Sequence, residues 1–132
     1  MNKKIICMLS GFAVAAFSLS QHASAQRITP LPASNFLQLC KNPKSLKTCD
    51  AYISGIADSV AYSKMFAKNQ GDANAPAGFC IAPSVKGAEM REKVVTWMSN
   101  NPAKLSQNAG GAVFTALHDA YPCQPSAKGE KK

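Results

Sequence analysis

Acidic residues and histidines are scarce in this chain, and the motifs of common enzyme classes are missing. Its 132 residues include 7 Asp and Glu against 15 Lys and Arg, and only 2 His. There is no Gly-x-Ser-x-Gly turn, no phosphate-binding loop and no His-Glu-x-x-His pair. Past residue 25 the only histidine is His118, and adjacent Asp119 would not face it on a helix. We therefore expect no catalytic residues and a protein that is not an enzyme.

Beyond residue 25 no apolar run is long enough to cross a membrane. Residues 1–25 contain an apolar run and have the form of a signal peptide. Lys3 and Lys4 precede a mostly apolar run at residues 5–19, and residues 23–25 (Ala-Ser-Ala) form a small-x-small cleavage site. As a helix, such a run spans about 22 Å, short of a hydrocarbon core of roughly 30 Å. We expect cleavage after residue 25, no membrane insertion afterwards, and location in the periplasm.

Closely spaced cysteine pairs are also absent from the sequence. Cys7 lies in the apolar run, and Cys40, Cys49, Cys80 and Cys123 follow with no Cys-x-x-Cys among them. A structural zinc site would need closer spacing and more histidine, so we expect no metal and no cofactor. An even number of cysteines in an exported chain is typical of disulfides.

The remaining chain is mildly basic and has the length of one domain. After cleavage it would carry 13 basic and 7 acidic residues over 107 positions. The basic residues are scattered, so we expect no nucleic-acid partner. We divide the chain into a signal peptide (1–25), an extended lead-in (26–33), a helical domain (34–123) and a disordered basic tail (124–132).

Apolar spacing predicts two helices in the first part of the domain. The first covers residues 35–41, with Ser34 as its N-cap, and ends before Asn42-Pro43. The second begins after Ser45 and runs to about residue 68. Gly55 within it indicates close approach of a neighbouring helix. The second helix carries one buried stripe at helical spacing: Leu46, Cys49, Ile53, Ile56 and Val60.

Two more helices are predicted after a stretch of turn-forming residues at 69–78. The third covers residues 85–99. The fourth has Pro102 in its first turn and continues to about residue 120. Because no alternating strand pattern occurs, the fold class is all-α, a small four-helix domain stabilised by disulfides.

Four cysteines allow three pairings, and the predicted helices narrow them. Cys40 and Cys49 flank the tight turn between the first two helices. Cys80 precedes the third helix and Cys123 follows the fourth, and in an antiparallel hairpin these two ends are adjacent. We therefore expect the pairs Cys40–Cys49 and Cys80–Cys123.

Several short motifs follow one another through this domain. They are Cys40, then Cys-x-x-Tyr-Ile-x-Gly-x-x-Asp at 49–58, Cys-x-x-Pro at 80–83, Asn-Pro at 101–102 and Ala-Tyr-Pro-Cys at 120–123. The set resembles the Rap/Tai-type immunity-protein family (the type VI secretion amidase immunity domain) over residues 36–123. Ala82 departs from the family pattern, in which proline commonly follows the third cysteine more closely, so the local loop geometry there is left open.

The resemblance implies a small helical periplasmic protein with disulfides. Characterised members of the family block peptidoglycan-cleaving amidase effectors of type VI secretion by occluding their catalytic clefts. The expected partner is therefore a secreted peptidoglycan amidase, and the oligomeric state stays open, a homodimer included. The alternative is a periplasmic stress-related factor or small helical acid-stress chaperone of the Hde type, against which the few carboxylates count.

In an inhibitor of this kind, the 69–78 loop could enter a cleft, framed by the exposed face of the second helix. The alternative is that the loop only connects two helices. Tyr52, Tyr62 and Phe66 are further candidates for exposed contact residues, because aromatic side chains are favoured in binding surfaces. The candidate partner-binding residues are Lys64, Lys68, Gln70, Asp72 and Asn74.

Overall fold

A computed structural model describes residues 27–123, which form four α-helices. They are α1 (Ala33–Lys41), α2 (Leu46–Asn69), α3 (Gly87–Asn100) and α4 (Ala109–Ala120), with short 3-10 turns at Pro43–Ser45 and Pro102–Lys104. No strand forms within this range, only an isolated bridge between Pro32 and Asn108. The all-α, four-helix prediction is confirmed. The predicted signal peptide and basic tail lie outside the described residues.

Helix α1 begins at Ala33, because the chain supplies its first hydrogen-bond acceptors from a distant segment. The Ala33 amide donates to the Gln107 carbonyl (2.9 Å), and the Ser34 amide donates to the Leu105 carbonyl (3.1 Å). Pro32 occupies the N-cap position, and no side chain caps the helix. The prediction of Ser34 as N-cap is therefore wrong: backbone carbonyls satisfy the amide groups that a cap would serve.

Helix α2 has nearly the predicted bounds and ends in a left-handed turn. Ser45 occupies its N-cap position but makes no side-chain cap hydrogen bond. After the last helical residue, Gly71 has a φ of +93°, a conformation that glycine adopts at little cost. The Asp72 amide then donates back to the Ala67 carbonyl (3.0 Å), which turns the chain away from the helix axis.

The segment predicted as one helix from Pro102 to residue 120 is broken in the structure. A 3-10 turn at Pro102–Lys104 is followed by irregular chain, and α4 starts only at Ala109. The Asn108 side chain caps it by accepting from the Gly111 amide (2.7 Å). At the break the Leu105 and Gln107 carbonyls accept from the start of α1, and the Ala109 amide donates to the Leu31 carbonyl (2.7 Å) instead of continuing a helix.

The core lies where the four helices meet, and the fully buried residues of α2 lie in its first third, with Ile56, Ala57 and Val60 partly buried against the core. Cys49 and Ile53 are the buried residues of α2. Gly55 is exposed, and a Cβ placed there would have no neighbour within 4 Å. The prediction that Gly55 permits a close helix approach is wrong. The other helices and the 79–81 region supply the remaining core side chains: Ala33, Phe36, Leu37, Cys40, Phe79, Met90, Val94, Met98, Ala109, Ala112, Val113, Ala116 and Leu117.

Specific side-chain contacts fix α2 to α1 and α3. Arg91 on α3 donates through Nη1 to both carboxylate oxygens of Asp50 (2.5 and 2.6 Å), in a partly buried ion pair. The ring of Tyr52 packs against that of Phe36 with centroids 4.6 Å apart. Tyr52 therefore belongs to the margin of the core, and α2 is held firmly along its first half.

Two disulfides connect the elements. Cys40 bonds to Cys49 (S–S 2.01 Å) and Cys80 bonds to Cys123 (S–S 2.06 Å), the two pairs expected from the helix order. The first joins α1 to α2 inside the core, since both of its cysteines are buried. The second joins the segment before α3 to the end of α4, and its Cys80 is exposed. None of the helices in residues 27–123 is long and apolar enough to cross a membrane.

Candidate partner-binding surface

The loop after α2 is exposed but is held in a defined conformation by its own hydrogen bonds. The Asp72 carboxylate accepts from the Asn74 amide (3.2 Å), and the Asp72 carbonyl accepts from the Ala75 amide (3.3 Å). Such Asx turns restrict a loop without burying it. Residues 70–74 are all exposed, so their side chains are accessible to a partner.

Lys64 braces this loop from the side of α2. Its ammonium donates to the Ala75 carbonyl, and the side chain is half-buried. Lys68, one turn further on, is exposed. The sequence predicted the same role for both lysines, but Lys64 forms a hydrogen bond within the molecule and Lys68 faces solvent.

The base of the loop is packed against α4. Gly78 lies so close to the ring of Phe114 that an added Cβ would overlap it, and the Gly78 carbonyl contacts Nδ1 of His118. Phe79 is buried, with its ring centroid 5.5 Å from that of Phe114. The Cys80 amide donates to the Tyr121 carbonyl (2.9 Å), next to the second disulfide. The loop therefore projects from a fixed base.

The second half of α2 exposes three large apolar side chains on its outer face. Tyr62 is 65% exposed, Met65 51% and Phe66 66%. Exposed apolar patches of this kind mark contact sites in soluble proteins. Sequence reasoning missed Met65, although its spacing of three from Tyr62, off the buried stripe, was a usable signal. We call Tyr62, Met65, Phe66, Lys68 and loop residues 70–76 the α2–loop surface.

The five candidate partner-binding residues predicted from the sequence lie at this end of the molecule, whereas Tyr52, a further candidate, packs against Phe36 at the margin of the core. Lys68, Gln70, Asp72 and Asn74 are exposed members of the α2–loop surface, whereas Lys64 supports it from inside. Beneath it, a mainly apolar groove of about 330 Å³ separates α2 from the 77–81 segment. Its walls include Ala57, Val60 and Ile81.

The α2–loop surface combines charged, polar and aromatic side chains. In the described part of the chain, no three His, Cys, Asp or Glu side chains are grouped so as to hold a metal ion. His118 is exposed in the last turn of α4, and its Nδ1 meets the Gly78 carbonyl. The arrangement is suited to binding another macromolecule by shape, aromatic contact and hydrogen bonding.

Comparison with known families agrees with the motifs and the fold. The Rap1a immunity proteins match residues 33–123, which span all four helices and both disulfides. No curated protein and no solved structure matches the chain significantly. The family match covers more than half of the chain, and on that ground this protein belongs to the Rap1a immunity protein family.

Proposed function

We propose that this protein is a periplasmic immunity protein that inhibits a secreted peptidoglycan amidase by covering its catalytic cleft with the α2–loop surface. The family supports an immunity protein that acts against a secreted effector. The amidase, the occlusion mechanism and the periplasmic location extend that conclusion. They rest on the motif resemblance and on the signal-peptide pattern at residues 1–25.

The observation that carries the proposal is that loop residues 70–74 are exposed and yet held by hydrogen bonds. Lys64, the Asx turn at Asp72 and the base at Gly78 hold the loop before any partner arrives. A preformed loop loses little conformational freedom on binding, which favours tight inhibition. A narrow projection can enter a cleft that a flat surface cannot reach.

Tyr62, Met65 and Phe66 would supply the apolar part of the same contact. Aromatic residues dominate the binding energy of many interfaces, and a few such side chains often account for most of it. Lys68 lies beside them and would meet an acidic group of the effector. In this scheme the loop blocks the cleft, and the α2 side chains supply affinity.

The test measures inhibition of peptidoglycan cleavage by secreted amidases, beginning with any amidase encoded next to this gene. Deletion of residues 72–76 should raise the inhibition constant by about 100-fold or more, the size expected for loss of several central contacts. Circular dichroism and thermal unfolding should show that the shortened protein remains helical. Inhibition that survives the deletion would place the contact elsewhere.

A charge reversal with a matched control separates the α2–loop surface from general electrostatics. Lys68→Glu should weaken inhibition by about tenfold, in the range for a charged contact at an interface. Lys47→Glu makes the same change at the other, exposed end of α2 and should have little effect. Equal losses for both variants would indicate non-specific attraction. Failure to inhibit any amidase would refute the amidase assignment.

A further inference from the structure

A groove between α3 and α4 is formed by residues that do not belong to the α2–loop surface. Its volume is about 430 Å³, and its lining includes Glu92, Lys93, Trp97, Asn100 and Asp119. Ala116 and Ala120 leave room on the α4 side. A concave site with one aromatic plate and a few polar groups has the general form of a ligand site.

The tryptophan in this groove forms one hydrogen bond through its indole and one through its backbone carbonyl. Its indole Nε1 donates to the Asp119 carboxylate (2.7 Å), and its carbonyl accepts from the Asn101 side-chain amide (2.8 Å). Because the indole N–H is already used, Trp97 can offer a ligand mainly its π surface. The other Asp119 oxygen is left to accept a hydrogen bond, since a carboxylate has several acceptor positions.

The charge of the groove is opposite to that of the chain. Glu92 and Asp119 against Lys93 give its lining one net negative charge, whereas the whole chain has a formal charge of +8. Within residues 27–123, the side chains of Glu92 and Asn100 form no hydrogen bond with another described residue. An aromatic face flanked by carboxylates favours a cation, and tryptophan is the best aromatic partner for one.

We propose that this groove binds an arginine side chain of a partner peptide. The guanidinium lies against the face of Trp97, and its N–H groups donate to the carboxylates of Glu92 and Asp119. Arginine fits better than lysine because its planar group can stack and form several hydrogen bonds at once. The groove would give the protein a second contact site, independent of the effector site proposed above.

Trp97 makes the test specific, because it is the only tryptophan of the chain. The purified protein is titrated with a blocked peptide, Gly-Arg-Gly-Arg-Gly, and with the same peptide carrying neutral citrulline in place of arginine. The arginine peptide should give a saturable change in tryptophan fluorescence that weakens with added salt. The citrulline peptide should bind at least about fivefold more weakly, which corresponds to about 1 kcal/mol for a cation on an aromatic face.

Variants decide whether the groove is the site. Glu92→Gln should raise the dissociation constant about threefold to fivefold, whereas Lys93→Gln, which removes a competing positive charge, should lower it about twofold. Asp58→Asn changes an exposed carboxylate on α2 and should leave binding unchanged. Equal binding of the two peptides, or no effect of Glu92→Gln, would overturn the proposal. So would a fluorescence response to N-acetylglucosamine oligomers alone, which would assign the groove to sugars.

Discussion

The two halves of α2 differ in what their apolar side chains contact. In the first half, Cys49 and Ile53 are fully buried and Asp50 is paired with Arg91. In the second half, Tyr62, Met65 and Phe66 face solvent. One continuous helix therefore contributes to the core at one end and presents an uncovered apolar face at the other.

Helix length explains this difference. Helix α2 has 24 residues and spans about 36 Å, whereas α3 and α4, with 14 and 12 residues, span about 21 and 18 Å. The shorter helices cannot cover α2 along its whole length. Beneath its second half lies the groove that separates α2 from the segment at 77–81. The excess length separates a part that stabilises the fold from a part available to a partner.

The disulfides follow the same division. Cys40–Cys49 lies in the core beside the first half of α2, whereas Cys80–Cys123 fixes the base of the loop that follows the second half. The second bond also joins residues further apart in the sequence, with a separation of 43 positions against 9. Its removal should therefore affect both stability and the shape of the loop.

The largest expected effect comes from removing the disulfide at the loop base. In the chain-entropy model, replacing both Cys80 and Cys123 by serine should lower the free energy of unfolding by about 4 kcal/mol. Replacing both Cys40 and Cys49 by alanine should lower it by about 3 kcal/mol. Urea unfolding measures both losses. Hydrogen exchange at residues 70–81 should increase only in the variant that lacks Cys80–Cys123. Equal exchange of these residues in both variants would contradict the assignment of this disulfide to the base of the loop.

A pair of truncations compares the two halves of α2 directly. Ile53→Ala should cost about 3 kcal/mol of stability, since it leaves a cavity in the core. Phe66→Ala should change stability by less than about 0.5 kcal/mol, because its ring is exposed. The same Phe66→Ala variant should weaken amidase inhibition. A large stability loss at Phe66 would mean that the second half of α2 is needed for the fold.

The smallest effect concerns alkaline pH. Burial raises the pKa of Tyr52, and burial together with the charge of Glu89 and a hydrogen bond to it raises the pKa of Tyr121. In the unfolded chain both tyrosines ionise near pH 10. Their stabilising contribution is thus fully present below that value, and it is lost as the pH rises through the higher values of the folded state.

Substitution tests this pH dependence. Unfolding midpoints measured between pH 8 and pH 11 should fall for the native protein above about pH 10. Tyr52→Phe and Tyr121→Phe should each reduce that fall. If stability falls with pH as steeply in both variants as in the native protein, other groups cause the loss of stability at high pH.

Much of the candidate surface could be predicted from the sequence, because turn-forming residues and helical spacing act over a few positions. The turn formers at 69–78 predicted a loop, and the spacing of Leu46, Cys49 and Ile53 indicated which side of α2 faces the core. The role of Lys64 was not accessible. Whether a lysine ammonium reaches solvent or the Ala75 carbonyl depends on the path of a loop eleven residues away.

The sequence by itself determined the helical class, the nearly correct bounds of α2 and the neighbourhoods of the four cysteines, because helical periodicity and turn residues act over a few positions. Only the tertiary structure decided the start of α1 at Ala33, the break before α4 and the exposure of Gly55 and Met65. The first two depend on amides of Ala33 and Ser34 that reach carbonyls of Leu105 and Gln107. The exposure of Met65 depends on how far the partner helices extend along α2, and that of Gly55 depends on which face of α2 they cover. No local pattern encodes such contacts between distant segments.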